Sequence, residues 1–93
     1  MKRVIRQSTR SEYVLIDLGG GWGCAYSAEL NHLSDPHRLD TLLDNRGPWG
    51  ERYGPWTDRF AVLEDHVLGQ AERCLRDQPE AVRAAFRRAG ERA

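Results

Sequence analysis

EYVLIDLGGGWGCAYSA, residues 12–28, decides the fold, because two runs of strand-forming residues flank three consecutive glycines. Residues 12–18 favour a β-strand, and residues 22–28 can return beside it as another. Side chains alternate between the two faces of a strand. In the first run the alternation separates two sets of side chains: Tyr13, Leu15 and Asp17 on one face, and Val14, Ile16 and Leu18 on the other. Because both sets contain large apolar residues, we expect this strand to be buried on both sides.

A third strand is predicted upstream of this stretch. Residues 3–7, RVIRQ, are rich in β-formers, and the polar residues 8–11 separate them from the strand at 12–18. Two such runs joined by a short polar connection are typical of a β-hairpin. With residues 22–28, they predict a small antiparallel three-stranded β-meander.

Helical periodicity replaces the strand pattern after residue 33. Ser34 or Asp35 can cap a first helix with Pro36 in its first turn, and Leu39, Leu42 and Leu43 line one side of it. Thr57 or Asp58 can cap a longer helix. Its apolar stripe contains Phe60, Leu63, Val67, Ala71, Cys74 and Leu75. We expect Leu63 and Val67 to be buried against the sheet.

A last helix is predicted after Pro79, since Val82, Ala85, Phe86 and Ala89 recur at helical spacing. Residues 1–93 are therefore predicted to form a single α+β domain, a three-stranded meander followed by two to three helices packed on one face. A chain of 93 residues has room for one core and little more.

Composition narrows the classes of function. Fourteen basic and fourteen acidic residues give a formal net charge of zero, which argues against non-specific binding of nucleic acid. No apolar run approaches the roughly 18 residues of a membrane-spanning helix. Two cysteines, Cys24 and Cys74, do not form a disulfide framework. We therefore expect a cytoplasmic protein with reduced thiols and no membrane partner.

VLIDLGGGWG, residues 14–23, locally resembles two nucleotide-binding motifs. It is similar to motif I of Rossmann-like methyltransferases, which binds S-adenosylmethionine, and to the phosphate hairpin of actin-like ATPases. The first family places a helix directly after the glycines, and the second closes two large lobes on its nucleotide. Because 93 residues do not supply either surrounding, we interpret the glycines as a β-turn with Trp22 packed behind it. Nucleotide or cofactor binding at the turn remains an alternative.

The remaining candidates for metal binding or catalysis are expected to be structural residues. Cys24 is expected to be a small buried strand residue, and His32 and His37 to be exposed loop and helix residues rather than ligands of a metal. Residues 64–66, Glu-Asp-His, point in different directions on a helix and so do not form a triad. We therefore predict a protein that is not an enzyme and that uses no metal or cofactor.

The segment of residues 46–58, RGPWGERYGPWTD, is the favoured binding site and is expected to be a loop. It contains the aromatic and arginine side chains that dominate binding hot spots, and its prolines reduce the ordering cost on binding. Trp56 lies next to the predicted helix and is assigned to the core. The predicted partner-binding residues are Trp49, Arg52, Tyr53 and Arg46.

Three functions follow from these features. The favoured one is a small non-catalytic module that binds another protein, such as the accessory and inhibitor proteins of bacteria and phages. The second is a nucleic-acid-associated domain that uses the basic N-terminal strand and the arginines of the last helix, Arg83, Arg87 and Arg88. The third is nucleotide or cofactor binding at the glycine turn.

Overall fold

An antiparallel sheet forms the centre of the computed structural model, which describes residues 1–10 and 12–91. The strands are β1 (Arg3–Ser8), β2 (Tyr13–Gly19), β3 (Trp22–Ser27), β4 (His32–Leu33), β5 (His37–Arg38) and β6 (Trp56–Thr57). The helices are α1 (Leu39–Leu43), α2 (Pro48–Tyr53), α3 (Glu64–Arg76) and α4 (Glu80–Glu91). The α+β class and the β1-β2-β3 meander are therefore confirmed. Ser11, in the predicted β1–β2 connection, lies outside the described residues.

The three short strands extend the meander at both edges. The sheet order is β4-β3-β2-β1-β6, and β5 pairs with the other end of β3. β1 carries a bulge, because Val4 is opposite Ile16 whereas Arg6 is opposite Leu15. A two-residue strand leaves little periodicity in the sequence, so β4, β5 and β6 were not predicted.

β2 is buried on both faces, as its alternation predicts. Val14, Ile16 and Leu18 belong to one apolar cluster, and Leu15 belongs to another. β3 divides in the same way, with Cys24 and Tyr26 on the first side and Ala25 on the second. The central strands therefore separate two cores.

Helices cover both faces of the sheet. α3 and α4 share the first face, where they contribute Ala71, Cys74, Phe86 and Ala89 to the first core. α1 and α2 cover the second face through Leu42 and Tyr53. The prediction that the helices pack on one face of the sheet is therefore wrong for α1 and α2. The reason is that the second face of β2 and β3 is itself apolar and needs a cover.

α3 begins later than its sequence pattern predicts. Its first residue is Glu64 and its N-cap is Leu63, so the predicted caps at Thr57 and Asp58 are wrong. Thr57 instead belongs to β6, which pairs with β1. Residues 58–63 then connect this edge strand to a helix on the first face.

Leu63 is exposed over 75% of its surface, so the prediction that it is buried is wrong. Val67 is half-buried and packs against the first core. The start of α3 is fixed to the sheet, because the Val4 N–H donates a hydrogen bond of 3.1 Å to Glu64 Oε2. α1 also begins later than predicted, with Arg38 as N-cap. The Ser34 hydroxyl accepts from the Ala25 N–H instead of capping a helix.

Cys24 gives the first core a measurable pH dependence. Burial raises the pKa of its thiol from 9.0 to about 12, so the folded protein keeps a proton that the unfolded chain loses above pH 9. Ionisation then favours unfolding, and stability falls as pH rises from 9 towards 12, by up to about 1.4 kcal/mol for each pH unit. Chemical denaturation of wild type and Cys24→Ala across this range measures the effect. The slope should be shallower in Cys24→Ala, and identical slopes would contradict the assignment.

Candidate functional site

The predicted loop at residues 46–58 contains a helix and a strand. α2 (Pro48–Tyr53) has proline at its first position, where a fixed φ suits a helix and no N–H is lost. Asp44 organises the approach to this helix, because its side chain accepts from the Arg46 N–H and its carbonyl from the Gly47 N–H. The prediction of a loop is therefore wrong, although the segment does remain on the surface of the second core.

The two tryptophans of the Gly-Pro-Trp repeat have different roles. Trp56 is only 7% exposed and belongs to the second core, as predicted. Its indole N–H donates to the Leu42 carbonyl over 2.6 Å, and its backbone N–H donates to Asn45 Oδ1 over 2.7 Å. Trp49 is half-buried and packs on the outside of the same core.

Five rings form a continuous group that we call the aromatic row: His37, Trp49, Tyr53, Tyr13 and His32. The Trp49 ring stacks with His37, at a centroid distance of 4.4 Å, and is nearly parallel to Tyr53, at 5.9 Å. Tyr53 lies 4.7 Å from Tyr13, whose hydroxyl is 2.8 Å from His32 Nδ1. Trp49 is thus fixed by contacts with two other rings.

The structure brings three of the four predicted binding residues together on α2. Arg52 is exposed, and its guanidinium lies 5.5 Å from the centre of the Tyr53 ring. Tyr53 is only 4% exposed, and burial raises the pKa of its hydroxyl. It therefore supports Trp49 from inside the core more than it presents a surface. Arg46 is exposed and precedes the helix.

Arg10 ties the end of α2 to the sheet. Its guanidinium donates to the carbonyls of Glu51, over 2.6 Å, and Gly54, over 3.0 Å. Beside it, the Thr9 N–H donates to the Pro55 carbonyl over 2.9 Å. These bonds fix both the position and the direction of α2 relative to β1. Arg10 is therefore a structural residue rather than a free cation.

The two histidines of the aromatic row were not predicted as part of the site. His32 lies on β4 and His37 on β5, and both are half-buried, so their assignment to exposed loop and helix positions is wrong. Each strand contains two residues and forms only by pairing with β3. Two residues are too few to show the alternation of a strand, so the local sequence carries no signal of this pairing.

The glycine motif forms the tight turn of the β2–β3 hairpin. Gly19, Gly20 and Gly21 have φ values of 95°, 63° and 83°, a region that other residues rarely adopt. The Gly19 N–H donates to Asp17 Oδ1 over 2.8 Å. Because a strand follows the turn, the local geometry differs from the strand–loop–helix of methyltransferase motif I. Trp22 is half-buried beside the turn, with the Arg38 guanidinium 5.5 Å from its ring centre.

The cysteines and the Glu-Asp-His segment were considered as candidates for catalysis or metal binding. Cys24 and Cys74 are buried free thiols of the first core. Glu64 binds the Val4 N–H, whereas its neighbours Asp65 and His66 are exposed. Within residues 1–10 and 12–91, no three His, Cys, Asp or Glu side chains converge in a way that suits a metal ion.

Several of the arginines proposed for nucleic acid have internal partners. Arg3 lies 3.7 Å from Glu64. Arg83 and Arg87 both pair with Glu80, and the hydrogen bond from Arg87 lowers the pKa of that carboxyl. These pairs reduce the positive charge that remains for phosphates.

None of the helices in the described part of the chain combines the length and apolar content needed to cross a membrane. Comparison with protein-family models, with curated proteins and with solved structures finds no match to this chain. Its function is therefore inferred from its own residues.

Proposed function

We propose that this protein is a small non-catalytic module that binds another protein through the surface of α2. This α2 surface consists of Arg46, Pro48, Trp49 and Arg52. The observation that supports the proposal most strongly is the pair of ring contacts, with His37 and with Tyr53, that fix the half-buried Trp49. A half-exposed indole that is already fixed loses little conformational entropy on binding.

The chemistry of the α2 surface suits a protein partner. Tryptophan and arginine are the residue types most enriched at binding hot spots, and Arg46 and Arg52 are both exposed near Trp49. Glu51 is exposed on the same helix, so the surface carries charges of both signs. Charges of both signs around an aromatic side chain favour a polypeptide as the partner. A nucleic acid is less suitable, because the Glu51 carboxylate would repel its phosphates.

The wider biological role belongs to the same proposal. We propose that the protein is a cytoplasmic accessory or inhibitor protein of bacteria or phages, which fits the small size and zero net charge of the chain. Such proteins act by occupying a surface of a larger partner. The nucleic-acid alternative has less support, because Arg3, Arg83 and Arg87 are paired with carboxylates.

Affinity capture with matched variants tests this proposal. Wild type, Arg52→Glu and Trp49→Ala are immobilised, and proteins retained from an extract of the native host are quantified by mass spectrometry. Arg88→Glu is the control, because Arg88 is also exposed but lies on α4, which packs on the other face of the sheet. Circular dichroism confirms that each variant is folded.

We expect one set of proteins to be retained equally by wild type and Arg88→Glu. The same set should be depleted at least tenfold with Arg52→Glu and Trp49→Ala, since removal of a hot-spot side chain costs about 2 kcal/mol or more of binding. Equal retention by all four proteins would overturn the α2 surface as the binding site. Loss with Arg88→Glu alone would transfer the site to α4.

A further inference from the structure

An apolar pocket opens on the first face of the sheet, away from the α2 surface. Its volume is about 280 Å³, and it lies between the C-terminal part of α3, α4 and the end of β2. Four apolar side chains line it: Met1, Leu18, Leu75 and Phe86. Leu18 and Phe86 also belong to the first core, so the floor of the pocket is fixed by the fold.

Three arginines from two helices surround this pocket. Arg76 comes from the last turn of α3, and Arg83 and Arg87 lie one turn apart on α4. The side chains of Arg83 and Arg87 remain 42% and 56% exposed, so their guanidinium groups are accessible to a ligand. The pocket thus combines an apolar floor with a cationic rim.

The positive charge at the rim is only partly neutralised. Glu80 is shared by Arg83 and Arg87 and balances one of the two. Among the described residues no ion pair joins Arg76 to a carboxylate. A buried or half-buried apolar surface next to unbalanced guanidinium groups is complementary to a molecule with an apolar tail and an anionic head.

We propose that this pocket binds a small amphipathic carboxylate, with the apolar tail against Leu18 and Phe86 and the carboxylate on the guanidinium groups of Arg76 and Arg87. A volume of about 280 Å³ suits a short aliphatic acid such as octanoate and is too small for a folded partner. Arginine binds a carboxylate through two parallel hydrogen bonds, which fixes the direction of the ligand. A polyphosphate would leave the apolar floor uncovered.

Gly90 supplies a variant that blocks the pocket without disturbing the core. It lines the pocket, and a Cβ added at this position meets no atom within 4 Å. Gly90→Phe therefore introduces a ring at the wall of the pocket, and it does so without a clash at the Cβ. Arg76→Glu is the complementary variant, because it reverses the charge at an exposed position of the rim. Arg88→Glu is the control, since Arg88 is on the same helix as Arg87 but does not line the pocket.

Titration with sodium octanoate, followed by calorimetry and by amide chemical shifts, tests the proposal on the full chain. We expect saturable binding that is at least tenfold weaker in Arg76→Glu and in Gly90→Phe and unchanged in Arg88→Glu. Octylammonium, which has the same tail and the opposite charge, should bind at least tenfold more weakly than octanoate to the wild type.

Four results of these titrations would each overturn the proposal, and a fifth comes from a peptide ligand. The four are the absence of saturable octanoate binding, equal binding of octylammonium, undiminished binding to a folded Gly90→Phe, and an equal loss in Arg88→Glu. Shifts at the pocket caused by an acidic peptide and not by octanoate would also overturn it, in favour of a polypeptide ligand. Because the pocket and the α2 surface lie on opposite faces of the sheet, either proposal can fail without the other.

Discussion

Replacing Trp56 with alanine is expected to lower the free energy of unfolding by about 3–5 kcal/mol, the cost of removing a large aromatic side chain from a core. The indole is 7% exposed, packs in the second core and donates to the Leu42 carbonyl. Its loss leaves a cavity and an unpaired buried carbonyl between α1 and the sheet. Urea denaturation of wild type and variant measures the change directly.

Leu63→Ala is the matched control for this experiment. Leu63 is also a large apolar residue, but it is 75% exposed, so its truncation should change the free energy of unfolding by no more than about 0.5 kcal/mol. A large loss in Leu63→Ala together with a small one in Trp56→Ala would mean that the second core has been placed wrongly.

Gly50→Ala is expected to destabilise the protein nearly as much as Trp56→Ala. The physical reason is the opposite one, because this substitution adds an atom to a packed site instead of removing a side chain. Gly50 lies on α2 where the helix crosses the chain after α1, and an added Cβ would approach within 2.5 Å of the Asn45 Cα and overlap the Asp44 carbonyl oxygen. Backbone cannot move aside as a flexible side chain can. We therefore expect α2 to shift outward, at a cost of about 3 kcal/mol.

Gly69→Ala separates this clash from the general effect of alanine in a helix. Gly69 lies within α3, and a Cβ there makes only an ordinary contact of 3.7 Å with the Arg73 guanidinium. That variant should be more stable than wild type by about 0.5–1 kcal/mol. Thermal melting of both variants gives the comparison. A Gly50→Ala protein as stable as wild type would show that α2 does not approach the Asp44–Asn45 backbone so closely.

The parts of the fold that were predicted from the sequence depend on local patterns. The alternation from Val14 to Leu18 shows two apolar faces, and the three glycines mark the turn to β3. α4 was recognised from its apolar spacing after Pro79, and Phe86 and Ala89 are buried as that spacing requires. In these elements the residues that decide the structure are neighbours in the chain.

The parts that were missed depend on contacts between distant residues. α2 is short and is held by Arg10, which is more than 40 positions away. β6 exists because Trp56 and Thr57 pair with β1, and this pairing delays the start of α3 until Glu64. The apolar stripe continues back to Phe60 and therefore predicts a longer helix than the structure has. Periodicity alone does not show that residues 58–63 must first connect the edge strand β6 to the first face of the sheet.

The binding role of the candidate site stays a prediction, and only part of its geometry could be predicted from the sequence. Proximity to an apolar helix assigned Trp56 to the core, and the structure confirms it. The stacking of His37 on Trp49 was not foreseen, because it requires β5 to pair with the first residues of β3. Tyr53 was counted as a contact residue, whereas it is almost wholly covered and acts as the support for Trp49.

Site-specific photo-crosslinking in the native host tests the central claim, that the α2 surface binds a protein, most directly. A photoreactive phenylalanine analogue is placed at Glu51, an exposed residue of α2 beside Arg52, so that the proposed contact residues are kept. The control position is Glu72, which is also exposed but lies on α3, against the other face of the sheet. Irradiation followed by denaturing electrophoresis reveals any covalent adduct. A discrete adduct from position 51 and none from position 72 is the predicted result. No adduct from position 51, or the same adduct from both positions, would contradict the claim.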